Sequence, residues 1–195
     1  MPQVAEHQGS FTPALVALGA NLPRGGEPPE VTLRNALGAI VTETVRIRAV
    51  SRFFRSAAVP AGSGPDYVNA AALLDVRIAA DALLAHLHRV EAQAGRTRAR
   101  RWEARVLDLD LLSHGESVLP DAATQAAWRA LPAAEQQRAA PDRLILPHPR
   151  IADRAFVLVP LADVAPAWVH PATGQRAAAM LAALDAAEIA AIRPL

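Results

Sequence analysis

The chain has no cysteine and no lysine, and all 20 of its basic residues other than histidine are arginine. Without cysteine it can hold no thiol nucleophile, thiolate zinc site, iron–sulfur cluster or disulfide, which fits a reducing cytoplasm. Without lysine it can form neither a Walker-type phosphate loop nor a Schiff base with a substrate or pyridoxal phosphate. Aromatic residues are scarce, with one Tyr and four Phe. The first thirteen residues carry no arginine and no apolar block, and no run approaches the roughly 18 apolar residues that span a bilayer. Neither an export signal nor a membrane segment is therefore expected. A net charge of +1 gives the whole molecule no strong pull toward nucleic acid or anionic lipid, so any anion site must be local.

The 195 residues suit one domain with one core. Apolar residues make up 52%, but 45 positions are alanine, so that core rests on few bulky side chains. Ala14 to Ala20 reads as a buried strand running into a Gly- and Pro-rich loop, and Glu30 to about Thr42 has helical spacing. Val45 to Arg55 and Tyr67 to Arg77 look like hairpin partners. A helix follows from an Asp81 N-cap to about Ala94, ended by Gly95. Arg105 to Ser113 is a further strand, and Arg176 to Ile192 reads as a terminal helix. This order describes an α+β, ferredoxin-like sandwich with extra elements at the C-terminal side and an Ala-rich insertion.

Alternation along Arg105 to Ser113 puts Asp108 and Asp110 on one face while Leu107, Leu109 and Leu111 point to the core. Asp is depleted in strands, and two like charges at i and i+2 repel, so the pair asks for a counter-charge or a metal. Their Cα atoms lie about 6.5 to 7 Å apart, close enough for the side chains to converge on two Mg²⁺ ions. A solvent face that happens to carry two aspartates is the plainer alternative. Immediately upstream, residues 95 to 105 hold Arg96, Arg98, Arg100, Arg101 and Arg105 against a single acid, Glu103. Guanidinium forks match phosphate oxygens, so this run reads as a phosphate-binding loop, with a solvated basic loop or a nucleic-acid contact as alternatives. Together the two features suit polyphosphate transfer, in which arginines neutralise charge that develops in the transition state.

Several stretches together resemble the 6-hydroxymethyl-7,8-dihydropterin pyrophosphokinase family: GANL (19–22), SRFFRS (51–56), PDYVNAA (65–71), GRTRARRWEARVLDLDLL (95–112) and LPHPRIADRAFVLVPL (146–161). The resemblance implies one pyrophosphokinase domain over residues 1–195, with a core at about 14–171, an insertion at 115–143 and a helical extension at 172–195. It implies a cytoplasmic monomer without nucleic-acid or membrane partners, acting on ATP and the pterin alcohol with two Mg²⁺ ions. Asp108 and Asp110 would hold the metals, Arg96 and Arg105 would contact the phosphates, and Arg98 and Trp102 would belong to a closing loop. His148 and Arg154 would touch the ATP phosphates, and Glu91 matches a position near the nucleotide, its plainer reading being a solvent-facing acid. Tyr67 and Phe156 would stack on the pterin and Asn69 would bond its edge, while backbone groups near Ser56, Ala57 and Val59 read its other polar atoms. A flat heteroaromatic ring needs such stacking faces plus a few fixed polar groups.

Three positions depart from the family pattern. His88 stands where glutamine is usual, Ala20 stands where serine is usual, and residues 115–143 form a longer stretch, with a short helix expected in WRALPAAEQQRAA as a surface elaboration. The rivals from other classes are a nucleic-acid-binding module that uses the arginine run and a two-metal nuclease built on the aspartate pair.

Overall fold

Two long apolar strands, β1 (Thr12–Ala20) and β4 (Tyr67–Val76), pair antiparallel along their whole length and form the middle of a six-stranded sheet. The structure is a computed structural model that describes residues 10–58, 64–95, 105–132, 135 and 140–195. On the far side of β1 runs β5 (Asp108–His114), also antiparallel. On the far side of β4 lie β2 (Val45–Val50) and β3 (Phe54–Ser56), and β3 in turn pairs with the two-residue β6 (Arg193–Pro194). With helices α1 (Pro29–Ile40) and α2 (Ala80–Gln93) as crossovers, this is the expected ferredoxin-like arrangement.

One face of the sheet carries Val16, Leu18, Val68, Leu74, Leu109 and Leu111, which pack with Leu33 and Ile40 of α1 and Leu83, Leu87 and Val90 of α2. The other face is covered by a smaller layer: Val157, Leu158 and Leu161 of α4 (Ala155–Val164) and Met180 of α5 (Ala177–Ala182) pack on Leu15 and Leu112. Alternation explains the division, since successive residues of each strand point to opposite layers. No helix among the described residues is long and apolar enough to cross a membrane.

Four local expectations need correction. The segment 45–55 is two strands, because the ladder ends at Ser51: its N–H still donates to the Ala71 carbonyl at 2.9 Å, but its Oγ takes the Ala71 N–H at 2.9 Å and Arg52 turns away to Asp163. Asp81 is not the cap of α2. Ala79 takes that position without a side-chain bond, and Asp81 lies in the first turn, where its charge suits the helix dipole. The terminal segment is two short helices, since Asp185 accepts from the Ala187 N–H at 2.7 Å and starts a second one, α6 (Ala186–Ala190), before the chain ends as β6. The strand expected from Arg105 begins at Asp108, because the Arg105 carbonyl instead accepts the Asn21 and Leu22 N–H groups.

In the insertion, α3 (Ala122–Ala130) starts earlier than WRALPAAEQQRAA, capped by Asp121, which accepts from the Thr124 N–H at 2.8 Å. Residues 133, 134 and 136–139 of that stretch lie outside the described residues.

The thin layer under α4 has few side chains with which to compensate for a loss. Leu158→Ala, at a fully buried position, is expected to lower unfolding free energy by about 2–5 kcal/mol in urea denaturation followed by circular dichroism. Val41→Ala, at a position 49% exposed, should stay within about 0.5 kcal/mol of the parent.

Candidate active site

The layer of α4 reaches only part of its face of the sheet. Beyond Leu15, β1 presents Ala17 and then Gly19 on that face, both half-exposed. Gly19 pairs with Asp108 on one side and Asn69 on the other, and Ala17 pairs with Asp110 and Ala71. Directly paired residues share a face, so both carboxylates stand beside a floor of glycine and alanine, with Asn69 and Tyr67 along its other rim. A Cβ on Gly19 would meet the Asn69 Oδ1 at 3.5 Å, ordinary contact, so glycine keeps the floor low without being forced by its neighbour.

β5 is held on its outer edge as well as by β1. Glu91, buried on α2, accepts the Leu109 N–H at 2.8 Å, between the two aspartates. Further along, the register slips by one between the Leu15–Ser113 and Val16–Leu111 pairs, and the Leu112 carbonyl accepts the His148 N–H at 2.8 Å. Irregularities of this kind re-aim groups at the edge of a sheet. The reading of Glu91 as a solvent-facing acid is thereby overturned.

Charges converge on this floor from three sides. Arg105 is ion-paired with Asp108. Burial works against the Arg105 charge, but Asp108 and then Asp110 outweigh it and hold the guanidinium above its ordinary value. Its backbone is fixed by Asn21, whose Oδ1 accepts the Arg105 N–H at 2.7 Å while its Nδ2 donates to the Pro65 carbonyl at 3.1 Å. Tyr67 lies in the same field: burial raises its phenol, Arg105 lowers it and Asp108 raises it.

On the side of α4, burial pulls Arg154 below its ordinary value and Asp110 is the largest opposing influence; an arginine stays charged all the same. The Arg154 guanidinium lies 5.8 Å from the centroid of the Phe156 ring, and Phe156 is partly buried against the α4 layer. His148 is pushed down to about 3, by burial first and by Arg154 next, with Asp108 among the weaker influences. Its Nδ1 accepts the Arg150 N–H at 3.1 Å, so the single proton of the neutral ring sits on Nε2.

At the other rim the buried Asn69 donates to the Ser56 Oγ at 2.9 Å, and the exposed Ala57 follows at the end of β3. The bend before β3 is tied to the last turn of α4: Asp163 accepts the Arg52 N–H at 2.9 Å and the Arg52 guanidinium at 3.1 and 2.7 Å. Of the sequence-derived residues, Ser56, Tyr67, Asn69, Arg105, Asp108, Asp110, His148, Arg154 and Phe156 therefore surround one floor, with Glu91 behind it. Val59, Arg96, Arg98 and Trp102 lie outside the described residues. Ala20 is fully buried in the helix-side core and turned away from the floor, so the serine it replaces bears on that core.

Sequence reasoning missed Asn21 and the Arg52–Asp163 tie. Asn21 was visible as a polar residue directly after an apolar strand; Asp163 is 111 residues from its partner and gave no local signal.

A floor of small residues flanked by paired carboxylates, two buried or half-buried guanidiniums and an aromatic and amide rim can hold a phosphorylated anion beside a flat polar ring. The asparagine–serine pair leaves fixed polar atoms for that ring's edge.

The chain is similar to known proteins over most of its length. A relative from Pseudomonas aeruginosa, named 2-amino-4-hydroxy-6-hydroxymethyldihydropteridine pyrophosphokinase, is 40% identical over 153 residues, covering 77% of this chain and 79% of its own. One of the same name from Synechocystis is 31% identical over 182 residues, covering 93% and 80%. The fold also matches that of wild-type Plasmodium falciparum HPPK-DHPS crystallised with pteroate, with a TM-score of 0.62 at 10% identity over 88% of this chain; this chain spans 44% of that longer one. The profile of the 7,8-dihydro-6-hydroxymethylpterin-pyrophosphokinase family matches residues 15–166, and the chain belongs to that family.

Proposed function

We propose that the chain transfers diphosphate from ATP to the hydroxyl of 6-hydroxymethyl-7,8-dihydropterin. The hydroxymethyl oxygen bonds to the β-phosphorus, the bond from that phosphorus to the α–β bridging oxygen breaks, AMP leaves with the electron pair, and the hydroxyl proton passes to solvent or a phosphate oxygen. The observation that carries this reading is the shared floor, on which Asp108 faces Asn69 across Gly19 and Asp110 stands beside Ala17, with Tyr67 two residues before Asn69 on the same face of β4. The nucleic-acid and nuclease rivals account for the arginine run and the acids but leave the Tyr67–Asn69–Ser56 rim without a purpose.

The pterin ring is proposed to lie between Tyr67 and Phe156, with Asn69 and the backbone of Ser56, Ala57 and Val59 at its polar edge. Asn69 is well suited, because its Nδ2 is committed to Ser56 at 2.9 Å and its Oδ1 is thereby oriented toward the floor beside Gly19. On the nucleotide side, Arg105, Arg154 and His148 bind phosphate oxygens together with Arg96, while Arg98 and Trp102 belong to a loop that closes on the nucleotide. Glu91 acts by holding the Leu109 N–H and so the strand that bears both acids.

The two carboxylates fit magnesium. They are hard oxygen donors on one face, and no third His, Cys, Asp or Glu joins them among the described residues, which leaves coordination to phosphate and water as Mg²⁺ prefers. When bound, two Mg²⁺ ions would supply charge neutralisation to the triphosphate. Arg105 must then share or release Asp108. The proposal includes action as a single-domain monomer in the cytoplasm.

Incubation with ATP, the pterin alcohol and Mg²⁺ should release AMP; ADP as the nucleotide product would refute the reaction. Asp110→Ala and Arg105→Ala are each expected to lower kcat by at least about a hundredfold while circular dichroism stays that of the parent. Asn69→Leu should raise the pterin KM by roughly tenfold or more and leave the ATP KM within about twofold, because it removes an edge bond made only to the ring. His148 should remain neutral from pH 5 to 9 in an NMR titration of its ring. Since its folded value of about 3 lies below the ordinary 6.5, its contribution to stability is complete above pH 6.5 and is lost as pH falls toward 3.

A further inference from the structure

The insertion is not loose decoration on the sheet. Gln125, in the first half of α3, is 0% exposed, and its Nε2 donates to the Pro147 carbonyl at 3.1 Å. On the same segment Leu119 and Leu146 exchange backbone bonds, at 2.8 Å from the Leu119 N–H and 3.2 Å from the Leu146 N–H. The next residue after Pro147 is His148, tied by its own N–H to Leu112 of β5 and by its Nδ1 to the Arg150 N–H. The turn that carries His148 is therefore held between the catalytic strand on one side and the insertion on the other.

A glutamine at a fully buried position is an unfavourable choice for packing alone, because its amide must shed water. Here the Oε1 has no hydrogen-bond partner among the described residues, so the compensation comes from the bond to Pro147. The start of α3 is built to place that amide. Asp121 accepts from both the Thr124 N–H and the Thr124 hydroxyl at 2.8 Å, and its carbonyl accepts the Gln125 N–H at 3.0 Å.

We propose that Gln125 is a positioning residue for the nucleotide: through the Pro147 carbonyl it fixes the turn in which His148 keeps Nδ1 on the Arg150 N–H and offers Nε2–H to a phosphate oxygen. The insertion then tunes affinity for the polyphosphate while leaving the pterin side untouched. This rests on the phosphate-binding role assigned to His148 above, and it adds a residue that neither the local pattern nor the family resemblance indicated.

The test is Gln125→Met, which keeps length and removes the donor. The ATP KM is expected to rise about fivefold or more with the pterin KM within about twofold, and the ring ¹⁵N shifts of His148 should move from the Nε2–H form toward a mixture of tautomers. A variant whose ATP KM and His148 shifts both match the parent overturns the proposal, whatever its melting temperature. If Gln125→Met fails to fold, Asp121→Ala, which loosens only the exposed start of α3, should shift both readouts in the same direction by a smaller factor, and no shift in either again overturns it. Parent protein that forms no AMP would refute the diphosphate transfer, while the His148 spectra would still decide whether Gln125 holds the turn.

Discussion

The site depends on the period-two alternation of β5. Leu109 and Leu111 are drawn into the helix-side core, so Asp108 and Asp110 have only the opposite face to occupy, and that face is the one α4 leaves open. A slip of one residue against β1 would bury both carboxylates among leucines, which fixes the register more strongly than any single hydrogen bond. The strand is also bonded on its outer edge, by Glu91 at Leu109 and by His148 at Leu112, so the acids sit on a ribbon held from both sides.

Concentrating acids in this way demands compensation, and the chain supplies it unevenly. Arg105 pairs directly with Asp108, whereas Arg154 is more strongly desolvated and senses Asp110 at longer range. His148 stays neutral among them and contributes a donor without adding charge. The result is a floor on which negative and positive side chains are held close together.

The alanine-rich composition has a local meaning at this floor. Gly19 and Ala17 leave room between the acidic rim and the Tyr67–Asn69 rim, which bulkier β-formers would fill. The same economy makes the α4 layer thin, and its position is secured by polar ties such as Arg52–Asp163 as well as by apolar packing.

Read alone, the sequence determined the order of strands and helices, the shared face of Asp108 and Asp110, and the membership of most residues around the floor, because each follows from short-range periodicity or from a contiguous motif. It misplaced the start of β5, the cap of α2 and the unity of the terminal helix, since at each of these a backbone group found a partner that local pattern does not weigh. Only the tertiary structure decided that Glu91 is buried against Leu109, that Asn21 anchors Arg105, and that Gln125 of the insertion grips the turn before His148. Those contacts join residues 18, 84 and 22 positions apart, and which buried amide or carboxylate meets which backbone group is set by how the layers close, a choice that no local spacing encodes.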